Sequence, residues 1–150
     1  MITPTTDELL TALNVQRWAA EVADQAPFDT LDQLLDAAHD ATPLTTAEID
    51  EAISHHPRIG EKPIGDSASA AHSRSEQGTS VELADEIAAA NAAYEKRFGR
   101  VFIIRAAGRS RAEILSEATR RTALDDDTEL AIVGEQLRDI ALLRLEAMFA

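Results

Sequence analysis

Hydrophobic positions recur at steps of three and four residues along most of the chain, which is the spacing of an α-helix with one buried face. The clearest example ends the sequence, where the apolar stripe consists of Leu130, Val133, Leu137, Ile140, Ala141, Arg144, Leu145 and Met148. The pattern predicts helices at about 6–13, 15–25, 31–41, 46–55, 80–98, 111–123 and 128–149. Because no repeat or linker separates them, we expect one all-α domain over residues 1–150, a compact helical-bundle-like fold of about seven to eight helices.

Local signals mark several helix ends. Several predicted helices are preceded by a hydroxyl residue that stands three positions before a Glu or Gln, the spacing of a capping box: Thr30, Thr45, Thr79 and Ser110. An acidic or hydroxyl residue near Asp127 and Thr128 is expected to open the last helix. Gly99 stands where the helix over 80–98 should end, the usual place of a glycine in a left-handed cap.

Two stretches lack the helical pattern. Residues 57–68 contain two prolines and two glycines, and so long a loop in a compact domain indicates function. Residues 101–106 are apolar and β-branched, but a lone strand would have no pairing partner. We therefore expect an extended segment that threads between helices, with backbone groups that a polar ligand could satisfy.

Composition narrows the class of protein. Aromatic residues make up only 4% of the chain and alanine is abundant, which favours close-packed helices. No apolar run is long enough to cross a bilayer, and the first residues lack the pattern of a signal peptide. The chain has no cysteine, which excludes disulfides and thiolate chemistry. A cytoplasmic protein fits these properties.

The net charge of -13 argues against a nucleic-acid-binding protein. The charge is uneven, however, since residues 96–121 hold eight basic and only two acidic side chains. These cations either form a solvated face that balances an acidic body or create a local positive field that attracts a small anionic substrate. Composition does not separate the two interpretations.

The strongest candidate for chemistry is His56, which is followed by Pro57 at the end of a predicted helix. Proline disfavours helical geometry in the residue before it, so His56 is expected where a helix gives way to a loop. Ser73, Glu76 and Gln77 follow as a compact polar set. An imidazole near a carboxylate is a workable acid/base pair at neutral pH.

Other assignments of these residues stay open. Arg144 is a cation on an apolar stripe, and it either reaches water along the core edge or holds a carboxylate in a pocket. A metal-dependent hydrolase is a second possibility, although the spacing matches a metal site only loosely; its ligands would be His55, His56, His72 and Glu76. A non-catalytic helical module that binds a small anion or a partner helix is the third.

An ordered set of short motifs runs through nearly the whole chain. They include Arg17-Trp18, the sequence HHPRIG at 55–60, SRSEQ at 73–77, KRFG at 96–99, Phe102-Ile103-Ile104, Gly108-Arg109-Ser110 and Arg144-Leu145. Together they resemble the family of 2-oxo-4-hydroxy-4-carboxy-5-ureidoimidazoline (OHCU) decarboxylases, which act last on the route from urate to allantoin. The resemblance implies an all-helical homodimer that needs no cofactor, and a separate 5-hydroxyisourate hydrolase for the preceding step.

The resemblance also implies roles for individual residues. His56 and Glu76 would be catalytic, with His56 as the acid/base, and Pro57 would line the site. The other expected substrate-binding residues are Ser73, Arg74, Ser75, Gln77, Phe102, Ile103, Ile104, Arg105, Ala106 and Arg144, with those at 102–106 acting largely through backbone groups. Arg105 is larger than the residue expected at its position.

Overall fold

The computed structural model describes residues 1–54 and 83–150. These residues contain seven helices, numbered here in chain order: α1 (Thr6–Ala12), α2 (Gln16–Asp24), α3 (Leu31–Asp40), α4 (Thr46–Ile53), α5 (Ala84–Phe98), α6 (Arg111–Thr122) and α7 (Asp126–Phe149). Within the same ranges there is no strand, and one isolated antiparallel bridge joins Ile2 and Phe28. The predicted all-α class is confirmed.

The chain forms two compact units. The first consists of Met1–His55 with Gly134–Ala150, and the second of His56–Val133. Helix α7 therefore contributes its first residues to one unit and the remainder to the other. A single functional domain over 1–150 stays a prediction. None of the helices in the described ranges is long and apolar enough to span a membrane.

Most helix starts follow from local capping. Thr45 with Glu48 and Ser110 with Glu113 form complete capping boxes, as predicted. Thr5 and Glu8 form a further capping box, which was not predicted. At α3 the Thr30 hydroxyl accepts from the Gln33 amide. The Gln33 side-chain oxygen accepts from the Asp29 amide and not from the Thr30 amide, so the capping box is incomplete.

Two helix starts differ from the prediction. Helix α5 begins at Ala84 after Leu83, which adopts the left-handed conformation with φ 61° and makes no side-chain cap. The prediction that Thr79 caps this helix is therefore wrong, although Thr79 itself lies outside the described residues. Helix α7 begins about two residues early because Asp125 accepts hydrogen bonds from the amide and hydroxyl of Thr128.

The first unit has an apolar core stabilised by a charged clamp. Helix α1 packs on α2 and α2 on α3, and the Trp18 indole donates to the Ala38 carbonyl at 2.9 Å. Arg17 donates to both carboxylate oxygens of Glu48, at 2.7 and 2.9 Å, and to the Ala41 carbonyl at 2.7 Å. The hydrogen bonds from Arg17, followed by that from the Thr45 amide, lower the pKa of Glu48 to about 2.

The second unit is organised around the stretch at 101–106, which is confirmed as non-helical. Helix α5 packs on α6, and the segment adds its own apolar side chains to their core. Tyr94 is central to this core, since its ring centroid lies 4.8 Å from that of Phe98 and 5.1 Å from that of Phe102. The apolar, β-branched sequence of the segment is thus explained by burial rather than by strand pairing.

Candidate active site

The predicted site residues fall in three parts of the chain. His56, Pro57, Ser73, Arg74, Ser75, Glu76 and Gln77 lie at 55–82, outside the described residues, as do His55 and His72 of the metal alternative. The residues at 102–106 belong to the second unit and Arg144 to the first. The geometry of the site is therefore given below separately for the segment 102–106 and for Arg144.

The segment 102–106 is buried, and part of its backbone is already bonded within the protein. Phe102, Ile103, Ile104 and Ala106 are buried, whereas Arg105 is partly exposed. The Ile103 carbonyl accepts from Arg121 at 2.8 Å, and the Arg105 carbonyl accepts from the Arg109 side chain at 2.9 Å. The expectation that this backbone is unpartnered is therefore wrong for these carbonyls.

Other backbone groups of the segment fit the expectation better. Among residues 1–54 and 83–150, the backbone N–H and C=O of Phe102 and of Ile104 have no hydrogen-bond partner. A buried backbone group without a partner costs free energy comparable to a lost hydrogen bond. Binding of a polar ligand by the backbone of Phe102 or Ile104 stays a prediction.

A buried ionic network that was not predicted from the sequence supports the same segment. Arg121 and Glu129 are both 0% exposed, and the guanidinium donates to the two carboxylate oxygens at 2.7 and 2.6 Å. The Tyr94 hydroxyl donates a short hydrogen bond to the same carboxylate. The Arg121 guanidinium also lies 4.6 Å from the centroid of the Phe102 ring.

The electrostatics of this network keep the tyrosine neutral. Burial, followed by the hydrogen bond to Glu129, raises the pKa of the Tyr94 phenol. Tyr94 is therefore a hydrogen-bond donor at physiological pH. Glu129 accepts from both Arg121 and Tyr94, so the buried carboxylate is compensated by a cation and a neutral donor.

One sequence signal could have found this network. Ile114, Ala118 and Arg121 stand at helical spacing on the buried side of α6, so Arg121 occupies an apolar position of its stripe. Glu129 is likewise four residues before the buried Val133. The same pattern predicts a special role for Arg144, whereas the abundance of cations in the basic segment 96–121 obscures it for Arg121.

Arg144 is buried in the first unit, with only 2% of its surface exposed. The interpretation in which its side chain reaches water is therefore wrong. Its Nη1 atom donates to the carbonyls of Thr11 and Ala12 at 3.3 and 3.4 Å, at the C-terminal end of α1 where the helix dipole favours a cation. Whether Arg144 also binds substrate stays a prediction.

The rest of the basic segment is largely paired at its ends. Arg97 forms an ion pair with Asp126 at 3.2 Å, and Arg120 forms one with Glu117 at 2.6 Å. Together with the buried Arg121, these arginines are neutralised by carboxylates within the second unit. This pairing favours the interpretation of a balanced surface for Arg97 and Arg120, whereas Arg121 is buried and belongs to neither interpretation.

The features described so far define an all-α protein with an extended apolar segment held in a helical core. A model of the family described as OHCU decarboxylase matches residues 3–146. The chain therefore belongs to the OHCU decarboxylase family, which confirms the resemblance found in its motifs.

Solved structures agree in fold. A crystal structure of OHCU decarboxylase in the presence of (S)-allantoin is 28% identical and covers 95% of this chain and 97% of its own, with a TM-score of 0.78. A crystal structure of (S)-allantoin synthase is 20% identical, with a TM-score of 0.67 over 95% of this chain and 48% of its own, and shows the fold alone.

A curated relative is the uric acid degradation bifunctional protein TTL of Arabidopsis thaliana. It is 37% identical over 107 residues, which are 67% of this chain and 33% of that protein. The chain thus spans about a third of the length of this relative.

Proposed function

We propose that this chain decarboxylates 2-oxo-4-hydroxy-4-carboxy-5-ureidoimidazoline to (S)-allantoin and carbon dioxide, without a cofactor. The observation that carries the proposal is membership of the OHCU decarboxylase family over residues 3–146. It is supported by likeness along nearly the full chain to an OHCU decarboxylase crystallised in the presence of (S)-allantoin.

The chemistry of the substrate explains why no cofactor is required. Its carboxylate is attached to a ring carbon beside a carbon–nitrogen double bond. When carbon dioxide leaves, the electron pair of the broken bond moves into that imine, so the substrate is its own electron sink. Pyridoxal and thiamine cofactors provide such a sink in other enzymes. The protein must then orient the substrate, place charge and deliver one proton to one face.

His56 is proposed to move that proton. It would take the proton of the ring hydroxyl or protonate the new carbon centre, and the latter step fixes the configuration of the product. Glu76 would set the tautomer of the imidazole or hold the ureido N–H groups, while Ser73 and Gln77 bind other polar edges of the substrate. These roles rest on the matched motifs, since all four residues lie outside the described ranges.

Two described features support binding of a small polar anion. The backbone of Phe102 and Ile104 has polar groups without partners among the described residues, which suits a heterocycle with carbonyl and N–H edges. Arg144 is a buried guanidinium, and a guanidinium matches a carboxylate with two parallel hydrogen bonds. The matched motifs assign Arg144 and the backbone at 102–106 to substrate binding, and each assignment is tested by itself.

The direct test follows freshly generated substrate in a coupled reaction. Urate is oxidised and hydrolysed enzymatically to OHCU, and loss of its absorbance is measured with and without the purified protein. Circular dichroism then reports the configuration of the allantoin. We expect faster decay and optically active (S)-allantoin. Racemic allantoin formed at the uncatalysed rate would refute the proposal.

The alternative functions are not favoured by family membership, and experiments distinguish them. A metal-dependent hydrolase would contain stoichiometric metal and lose activity on chelation, whereas the proposed lyase would retain activity after dialysis against a chelator. A non-catalytic anion-binding module would bind (S)-allantoin without accelerating decay of OHCU.

We further propose a cytoplasmic homodimer that receives its substrate from a separate 5-hydroxyisourate hydrolase.

A further inference from the structure

The buried network of Arg121, Glu129 and Tyr94 contacts the Phe102 ring and also donates a hydrogen bond to the backbone of the extended segment, at Ile103. Arg121 uses Nε and Nη2 for Glu129 and Nη1 for the Ile103 carbonyl at 2.8 Å. One planar guanidinium therefore connects α6, α7 and the segment, and its fork geometry fixes the direction of all three bonds. Tyr94 adds α5 through its bond to Glu129.

Stability alone does not require such a network. Burying a carboxylate and a guanidinium costs desolvation free energy, and apolar side chains of similar volume are often as stable as the ion pair or more stable. What apolar side chains cannot supply is a donor to the Ile103 carbonyl. That carbonyl lies between the two residues whose backbone groups have no partners among the described residues, Phe102 and Ile104.

We propose that Arg121, Glu129 and Tyr94 form a positioning network that holds the Ile103 carbonyl and thereby presets the backbone of 102–106 for substrate. The inference rests on the proposed function, because that function assigns 102–106 to substrate binding. None of the three residues needs to touch the substrate. Their effect on catalysis is to remove the need to order the segment when substrate binds.

Arg121→Lys is the first test, with Arg120→Lys as its matched control. Lysine keeps the charge but cannot bond both Glu129 oxygens and the Ile103 carbonyl in fixed directions. Arg120 is the adjacent arginine, and its ion pair with Glu117 is partly exposed. For Arg121→Lys we expect KM to rise about 10-fold with kcat changed less than about 3-fold, because ground-state ordering of the binding segment is lost. Arg120→Lys should leave both constants unchanged.

The split between KM and kcat separates positioning from simple destabilisation. A purely structural role would reduce the fraction of folded protein, which lowers the apparent kcat and leaves KM unchanged. A lower kcat with an unchanged KM in Arg121→Lys would therefore overturn the proposal.

A second variant covers the case in which Arg121→Lys does not fold. The triple variant Arg121→Met, Glu129→Leu and Tyr94→Phe replaces the whole network with apolar groups of similar shape, which keeps the core filled. We expect a melting temperature near that of the wild type together with the same rise in KM. A stable triple variant with a wild-type KM would show that the network does not position the segment.

Amide hydrogen exchange tests the network independently of activity. Peptides that cover 102–106 should exchange at least about 10-fold faster in Arg121→Lys than in Arg120→Lys, because the segment loses its anchor at Ile103. Equal exchange in the two variants would overturn the inference even if the wild type is an active decarboxylase. If the wild type is inactive while Arg121→Lys still exchanges faster than Arg120→Lys, the proposed function is refuted. The network then remains only the anchor of this segment.

Discussion

Among single side chains, His56 has the central role in the proposed chemistry, because it transfers the proton. We expect His56→Asn to lose about 10²–10⁴-fold in kcat, the usual contribution of a positioned acid/base, because an amide does not ionise near neutral pH. Far-ultraviolet circular dichroism should match the wild type. His39→Asn is a suitable control, since His39 is exposed at the end of α3 beside Asp40. Wild-type turnover by His56→Asn would remove the imidazole from the mechanism.

Arg144 has structural contacts with α1 and a proposed role in binding the substrate. Arg144→Met removes the charge but keeps an unbranched apolar stem, so we expect KM to rise about 10-fold from the loss of a charge-assisted bond to the substrate. Stability should also fall, because the donor to Thr11 and Ala12 is lost. Arg138→Met, which breaks a partly exposed ion pair with Asp139 on the same helix, should leave KM unchanged. An unchanged KM in Arg144→Met would assign Arg144 to structure alone.

The clamp between Arg17 and Glu48 makes the first unit sensitive to acid. The folded pKa of Glu48 is about 2, below the ordinary value of 4.5. The ionised Glu48 carboxylate therefore stabilises the folded state fully above pH 4.5, and this stabilisation is lost as the pH falls toward 2. Because Arg17 is partly exposed, we expect roughly 1–3 kcal/mol from this clamp. Urea unfolding from pH 6 to pH 3 should show a shallower loss of stability in Glu48→Gln; an equal slope would contradict it.

The helix starts offer a test at the level of a whole element. The Ser110 side chain accepts from the Glu113 amide and so satisfies one of the unpaired donors of α6. We expect Ser110→Ala to reduce the free energy of unfolding by about 1 kcal/mol, the usual cost of losing an N-cap. Thr119→Ala, in the middle of the same helix, should change stability by less than about 0.5 kcal/mol. Equal effects of the two substitutions would contradict the capping assignment.

Elements set by local chemistry were predictable from the sequence, and those set by packing were less so. Capping bonds join residues three positions apart, so the sequence alone predicts the starts of α4 and α6. The start of α5 is not predicted in this way, because Leu83 adopts a left-handed backbone conformation that no local sequence pattern indicates. The extended character of 101–106 was also predicted, but its anchor was not, since Arg121 reaches Ile103 across eighteen positions.

The candidate site shows the same division. Arg144 was found because a cation on an apolar stripe is conspicuous, whereas Arg121 occupies an equivalent position in a segment rich in arginine. The identity of the substrate did not follow from any physical pattern and came only from the resemblance, which the family match over 3–146 bears out. The roles of His56 and Glu76 stay predictions, because the described residues do not include them.

For the molecule as a whole, the net charge of -13 opposes the approach of an anionic substrate. A positive field from the segment 96–121 would counter this, but three of its arginines are paired: Arg97 with Asp126, Arg120 with Glu117 and Arg121 with Glu129. An ion pair contributes little field at a distance from the surface. The overall negative charge should therefore dominate the encounter at low salt.

The negative net charge predicts how kcat/KM depends on ionic strength. Raising it from about 10 mM to about 150 mM shortens the screening length from roughly 30 Å to roughly 8 Å, which should weaken the repulsion and leave kcat/KM unchanged or higher. Steering by a local positive field would lower kcat/KM instead, so a decrease of more than about 3-fold would contradict the balanced-surface interpretation. Arg97→Gln exposes the charge of Asp126 and should make the increase with salt steeper, because it adds to the field that salt screens.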